Sequence, residues 1–414
     1  MFRIWIYLSL KNFLLNIFLK KNKEMVSRSI EQILSKQSNK KFSSLFSQCR
    51  VGFLYVLKFL KSRSIKREII FCAYNLPEMI NIAENLNLKI KFCDIDYKTG
   101  FIDLKQLKEK VSKNTLAIVL TNMFNSHEDS QKIKKIATKF KITLIEDNAI
   151  YFDNFSQFSR NKIYSGSFGD YTIYSFNIMK NISSLYGGAV TTNNKNFSKY
   201  SNKEENKLDN FYIIPLIKQI LIFFILKLMS VKILYNFFFI HIIRYVHKKN
   251  IELILQIFYP SLKTIKISFP KYYYTKISNL SLNLTYQQLQ DKKCRKKNFN
   301  LRKIKNEYYF KKLSKINTDK FNLIRIVDQN YQNFLDFPVL VKDKNDLNDY
   351  LLDKGIEVRF KHYYNCQKLF GFGTDCINAE KYEKELICLP NHPKISLSYI
   401  DFIVKNVEVY YSNS

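Results

Sequence analysis

Lys180 lies between the apolar run Tyr171-Thr172-Ile173-Tyr174-Ser175-Phe176 and the pair Gly187-Gly188, an unusual setting for a lysine. In a partly desolvated pocket a lysine has a lowered pKa and can form a Schiff base with a carbonyl compound. Nearby glycines let a ligand approach the backbone closely. Upstream, Leu144-Ile145-Glu146-Asp147-Asn148-Ala149 places an acidic pair at the end of an apolar run. A carboxylate there can hold a cation or a protonated ring nitrogen. Ser175, five residues before the lysine, adds a hydroxyl. One cofactor uses this whole set: pyridoxal 5'-phosphate needs a lysine for its aldehyde, a carboxylate for its pyridinium nitrogen and donors for its phosphate.

These residues must be positioned by a sheet. Short apolar runs over 68–72, 89–93, 116–120 and 142–145 alternate with amphipathic stretches over 77–86, 104–111 and 126–140. Strand-helix alternation predicts crossover units, hence an α/β fold with a mostly parallel central sheet flanked by helices. Ligand sites in such sheets lie at the carboxyl ends of the strands, where Asp147 is expected. Four regions follow: an apolar N-terminal helical segment (1–40), a large cofactor-binding domain (41–205), a hydrophobic, basic helical insertion (206–265) and a smaller C-terminal α+β domain (266–414). In the last, one long basic helix is expected over 280–310. After it come a strand over 334–341, a helix over 345–354 closed by Gly355, a strand over 356–360, and a final helix capped by Ser396.

Composition narrows the classes further. Lys and Arg total 67 against 35 Asp and Glu, a net charge of +32. Such an excess suggests nucleic acid or an anionic membrane. The chain is rich throughout in Lys, Asn, Ile, Phe and Tyr, however, so much of the charge reads as coding bias. Stretches such as Lys292-Lys293-Cys294-Arg295-Lys296-Lys297 read as a solvated helix face, and no nucleic-acid partner is expected. Seven cysteines without a CxxC pair argue against a disulfide framework or structural zinc, and for reduced thiols in the cytoplasm. His127, His241, His247, His362 and His392 lack metal-ligand spacing, so no metal is expected; His362 is a candidate to line a substrate site. The N-terminus reads either as an interfacial helix with basic anchors or as a buried helix. The insertion reads either as helices on an anionic membrane surface or as a packed addition to the body or a partner subunit. No uncharged apolar run reaches 18 residues, so an ordinary membrane span is not expected.

The chain resembles the DegT/DnrJ/EryC1/StrS family, the pyridoxal-phosphate-dependent sugar aminotransferases of fold type I. Ile145-Glu146-Asp147-Asn148-Ala149 is similar to the family's "IEDAA", and Ser167 through Lys180 to its "SFGD...FSF...K". Gly187-Gly188-Ala189-Val190 is similar to "GGAV", Gly355-Ile356-Glu357-Val358-Arg359 to "GIE.R", and Leu389-Pro390-Asn391-His392-Pro393 to "LP.HP". Cys93-Asp94-Ile95-Asp96 followed by Phe101-Ile102-Asp103 is similar to "DID...ID". The resemblance implies that Lys180 binds the cofactor covalently and moves the proton, and that Asp147 pairs with the ring nitrogen. Ser175, with Cys49 and Arg50 in a turn before a helix, would bind the phosphate, and Leu76 would stack on the ring. Three positions depart. Ile150 replaces the family's glutamine, leaving Asn148 as a substitute contact to the cofactor hydroxyl. Tyr274 stands where the family places an asparagine for the partner's phosphate. Cys49 replaces a turn glycine.

The implied activity is amino transfer, with glutamate as donor, to a keto-sugar carried on a nucleotide, in surface polysaccharide or lipopolysaccharide synthesis. Lys180 separates the chain from the family's dehydratase branch, where a histidine takes that place. A homodimer is implied, with each site at the subunit interface. Two alternatives stay open. One is an aminotransferase at the inner membrane face, in peripheral contact with lipid and acting on a lipid-linked sugar. The other is a cofactor-less scaffold.

Overall fold

A computed structural model describes residues 2–19, 21–123, 127–150, 152, 166–251, 253–255, 268–325 and 334–412, with the backbone alone for 127–129. Runs rich in β-branched and aromatic residues form the strands. They are β1 (Phe42–Phe46), β2 (Glu68–Cys72), β3 (Tyr74–Asn75), β4 (Lys89–Cys93), β5 (Thr115–Thr121), β6 (Thr143–Asp147), β7 (Tyr171–Ser175) and β8 (Gly188–Thr192). All but β3 join one sheet in the order β1-β8-β7-β6-β5-β2-β4. Neighbours from β7 through β6, β5 and β2 to β4 pair in parallel, and β8 runs antiparallel to both β7 and β1. That reversal decides where the chemistry gathers. Phe46, Asp147 and Ser175 end their strands on the edge where Gly188 begins β8.

Helices cover the sheet because its strands are apolar on both faces. Cys49–Ser62 buries Val51, Phe53, Leu54, Val56, Leu57 and Phe59, while Pro77–Asn85 starts with Pro at its first turn and Leu104–Lys110 is capped by Asp103. The C-terminal unit has its own antiparallel sheet, β9 (Phe321–Leu323), β10 (Asp336–Val341) and β12 (Leu386–Pro390), with β10 central. A short ribbon of β3 with β11 (Tyr364–Asn365) ties this unit to the large sheet. The final helix, Leu397–Ser412, is capped by Ser396, whose hydroxyl accepts from the Tyr399 N–H at 3.1 Å.

Several elements differ from the sequence expectation. The 280–310 region is two helices, Asn279–Gln290 and Lys292–Leu313. Asp291 separates them because its carboxylate caps the second, accepting from the Cys294 N–H at 2.9 Å. Residues 356–360 are not a strand: of this stretch only Arg359 bridges to β12, at Cys388. The start of the 126–140 helix and the end of the 206–265 insertion lie outside the described residues.

The N-terminus differs most. Residues 2–9 are extended, and a helix forms only over Leu10–Phe18, followed by Lys23–Ser38. Phe2, Ile4, Ile6 and Leu8 alternate with Arg3, Trp5 and Tyr7, a period of two that cannot sort faces on a helix. The four apolar side chains are buried in a satellite core with Phe223, Leu226, Tyr235 and Ile243 of the insertion helices Ile213–Met229 and Lys232–Lys248. The Lys227 ammonium donates to the Ile6 carbonyl at 3.0 Å and so holds this strap from the insertion side.

Gly188 is a point of close approach: a Cβ there would collide with the backbone of Gln48 and Cys49. Backbone cannot yield as a flexible side chain can, so Gly188→Ala is expected to cost at least about 1–3 kcal/mol, read as a lower urea midpoint with unchanged m-value.

Candidate active site

A cleft opens at the carboxyl edge of the large sheet, beneath the C-terminal unit. Asp147 reaches it from the last position of β6, Ser175 from the last position of β7, and Lys180 from the turn that follows β7. Cys49 and Arg50 line it from the first turn of helix Cys49–Ser62, and Leu76 from the residue capping helix Pro77–Asn85. Gln48 gives no side-chain cap to its helix, so the first N–H groups face the cleft without one.

The loop before β7 is held by Glu146. Its buried carboxylate accepts from the N–H groups of Gly166 (2.9 Å), Phe168 (3.1 Å) and Gly169 (2.9 Å), and from the Asn122 amide (3.1 Å). Lys40 closes the same loop by donating to the carbonyls of Ser167 (2.9 Å) and Gly169 (2.6 Å). Of the adjacent carboxylates, Glu146 is therefore structural and Asp147 faces the ligand space. Strand alternation also explains why Asn148 is absent from the cleft. It follows Glu146 to the other side, where its carbonyl accepts from Asn122, and the expectation that it replaces the missing glutamine is corrected. Ile150 does line the cleft and gives an apolar contact there.

The two central charges are both strained by burial. Burial pushes Asp147 up to about 6, against the Ala149 N–H at 2.9 Å and the positive charge of Lys180. Burial pushes Lys180 down to about 8; Arg359 adds to the shift, while Asp147, Cys49 and Asp336 oppose it. Burial likewise raises the Cys49 thiol well above its usual range, so Cys49 is a neutral lining group. Arg50 pairs with Glu78 at 3.4 Å, and Glu78 also accepts from the Tyr273 hydroxyl.

Sequence reasoning missed several lining residues. Arg359 was quoted within a motif but given no role; here it points into the cleft and donates to Asp336 at 2.8 Å. Tyr363 lines the cleft because its N–H donates to the Tyr74 hydroxyl (3.1 Å) beside the β3–β11 ribbon. His362 points away, buried against Tyr74 and Tyr363, and burial keeps its imidazole neutral. His392 is in the cleft instead, stacked on Trp5 at 5.9 Å. Arg3, Trp5 and Tyr7 form the remaining wall. Arg3 is fixed by Glu357 at 3.3 Å, and the Tyr7 hydroxyl accepts from buried Arg302 at 2.8 Å. The period-two alternation of residues 2–8 was the signal that could have revealed this wall. Tyr274 does not line the cleft of its own chain; its ring lies under Lys58, 5.1 Å from the ammonium.

The donor set fits pyridoxal phosphate. Among the described residues the Lys180 ammonium has no hydrogen-bond acceptor, the Ser47 hydroxyl is buried without a partner beside the helix start, and Asp147 is a buried carboxylate held above its usual range. The cavity measures about 170 Å³.

The strand order and the single reversed strand are those of the type I aminotransferase fold. The fold matches that of Helicobacter pylori PseC, an aminotransferase involved in the biosynthesis of pseudoaminic acid. The TM-score is 0.71 at 17% identity, over 98% of this chain and 96% of that one. In sequence, the chain is 23% identical to a dTDP-4-amino-4,6-dideoxy-D-glucose transaminase of Shigella dysenteriae, over 93% of this chain and 90% of the relative. It is 29% identical to a GDP-4-keto-6-deoxy-D-mannose 3-dehydratase of Escherichia coli O55:H7, over 36% of this chain and 38% of the relative. The chain spans about two fifths of the length of two of the curated relatives it matches. Residues 23–206 match the model of the DegT/DnrJ/EryC1/StrS aminotransferase family.

The strained charges give the ligand-free chain a defined pH response. Asp147 binds protons more tightly folded (about 6) than unfolded (3.8), so its contribution is present at low pH and lost as pH rises through 6. Asp147→Asn is expected to remove this loss, about 3 kcal/mol at ~1.4 kcal/mol per unit. Lys180 has the opposite sign: its contribution is present above 10.5 and lost as pH falls through 8. Urea unfolding across pH 4–10 measures both, with Asp147→Asn and Lys180→Ala each flattening its own window.

Proposed function

We propose that this chain is a pyridoxal-phosphate-dependent aminotransferase that moves an amino group from glutamate to a keto-sugar carried on a nucleotide, in surface polysaccharide or lipopolysaccharide synthesis, and that it acts as a homodimer. The observation that carries the reading is the meeting of Lys180 and Asp147 in one partly dry cleft, with Ser175 and an uncapped helix start beside them.

Bound pyridoxal phosphate supplies an aldehyde for amines and a ring that takes up negative charge. Lys180 holds that aldehyde and carries the proton between donor or acceptor carbon and cofactor. With a pKa of about 8, about a quarter of Lys180 is neutral at pH 7.5, against about a thousandth for an ordinary lysine. Asp147 keeps a proton on the ring nitrogen. The opposite charge it gains there relieves the cost of its own burial. Ser175, Ser47 and the N–H groups at the start of helix Cys49–Ser62 take the phosphate. Arg359 and Arg3 offer positive charge to the anionic parts of donor and sugar nucleotide, and Trp5, Tyr7 and Tyr363 offer faces to the sugar. Lysine at position 180 supports amino transfer over dehydration.

The test is an absorbance spectrum of the purified chain with added pyridoxal phosphate. A visible band is expected, bleached by glutamate and absent from Lys180→Ala, with amino transfer reduced more than about 10³-fold in that variant. No band at saturating cofactor would overturn the reading and favour a scaffold, consistent with Ile150 and Tyr274 at altered positions. Trp5→Ala is expected to keep the band and raise KM for the sugar about tenfold or more, with a smaller effect on kcat.

A further inference from the structure

The insertion and the N-terminal helix share an outer face that the other described residues leave uncovered. Helix Ile213–Met229 turns through 84° into Lys232–Lys248. After a first turn over Lys232–Leu234, the second arm widens into a π turn over Tyr235–Phe239. On the inner side Phe223, Leu226, Tyr235, Ile240 and Ile243 are buried. On the outer side Ile214 is 77% exposed, Ile233 68%, Phe237 82% and Phe238 59%. Helix Leu10–Phe18 lies alongside, its Phe13 ring 4.7 Å from Phe223, and it exposes Leu14, Leu15 and Phe18. A helix that merely filled a core would carry polar residues outward, and so large an apolar patch marks an interaction surface.

Charge identifies the occupant. From Asn210 to Ile251 the chain carries Lys218, Lys227, Lys232, Arg244, Lys248 and Lys249 and no Asp or Glu. Residues 2–23 are likewise basic without an acid. Lys11, Lys218 and Lys232 are exposed beside the apolar side chains. Two copies of such a face would repel one another, whereas an anionic lipid surface complements it. Among the described residues no single helix is long and apolar enough to cross a membrane, so the bent pair suits insertion into one leaflet.

We propose that this face is an anchor that seats the protein on an anionic bilayer, with the π turn of the second arm, bearing Phe237 and Phe238, entering the lipid. The proposal goes beyond the aminotransferase reading and does not depend on it. The anchor is also joined to the cleft: Lys227, on the first arm, holds the Ile6 carbonyl and lies 5.2 Å from the Trp5 ring.

The test is flotation of the purified full chain with vesicles of phosphatidylcholine, with and without phosphatidylglycerol. The expected result is at least about tenfold greater association with the anionic vesicles, reduced by high salt. The F237D/F238D variant should lose about tenfold or more of that association with an unchanged unfolding midpoint, because both side chains are exposed. A second variant, K218E/K232E, should lose the preference for anionic over neutral vesicles. Native protein that ignores anionic vesicles would overturn the proposal, as would double variants that float like the native chain. A native oligomer that ignores vesicles and is broken by F237D/F238D would assign the face to a second copy and would also overturn it.

Discussion

The site depends on the removal of Lys180 and Asp147 from water in one cleft. Each is pushed toward its neutral form by burial, and each is only partly repaid by the other. Left to itself this arrangement costs stability, and the fold sustains it by rigid support on every side. Glu146 locks the loop that enters β7 through three backbone N–H groups. Gly188 lets the start of β8 press against the backbone at Cys49. The Arg359–Asp336 pair places a fixed positive charge close enough to lower the Lys180 pKa further. A cleft strained in this way is most stable when a ligand brings an opposite charge to Asp147 and takes up the lysine amine, which is the character of a preorganised site.

The same sheet edge explains why distant segments meet. Parallel strands deliver their carboxyl ends to one side, and a single reversed strand brings its amino end there as well. Two further elements then close the opening. The β3–β11 ribbon holds Tyr363 from the C-terminal unit. The extended N-terminus holds Arg3, Trp5 and Tyr7 from the other side. That strap has little sheet pairing of its own. It depends on Phe2, Ile6 and Leu8 sinking into the insertion core, on the Lys227 bond and on the Arg3–Glu357 pair. The insertion therefore acts as the support for one wall of the cleft, apart from anything its outer face does.

Much of this was legible in the sequence because strand ends and catalytic residue types leave local marks. An acidic pair after an apolar run locates the end of β6, and a lysine before a glycine pair locates the turn after β7. The choice between Glu146 and Asp147 as the ligand-facing carboxylate follows from alternation once the strand is known, and the same alternation excludes Asn148. What was not legible depends on long-range packing. The strap's period of two was overlooked because the whole N-terminal segment is rich in Ile, Leu and Phe and was read as one helical unit. The break at Asp291 was hidden by the basic residues on both sides. His362 and Tyr363 are neighbours, and the Tyr74 hydroxyl meets both, accepting from the Tyr363 N–H and lying 3.4 Å from His362 Nδ1, so which of them enters the cleft is settled by tertiary packing.

Charge is the feature in which global and local readings diverge. A net +32 spread over the whole chain says little about partners, because Lys recurs from end to end, including on helices whose lysines pair with nearby carboxylates such as Glu380 and Asp401. The informative feature is the placement of basic, acid-free segments on an exposed apolar face. Residues 2–23 and 210–251 carry Lys and Arg without Asp or Glu, as do 32–67, 171–203 and 253–290, so what distinguishes the first two is where they lie. The fold then brings these two segments together through Phe13 and Phe223. A coding bias toward lysine accounts for acid-free stretches along the chain, but not for two distant ones becoming neighbours on one exposed apolar face.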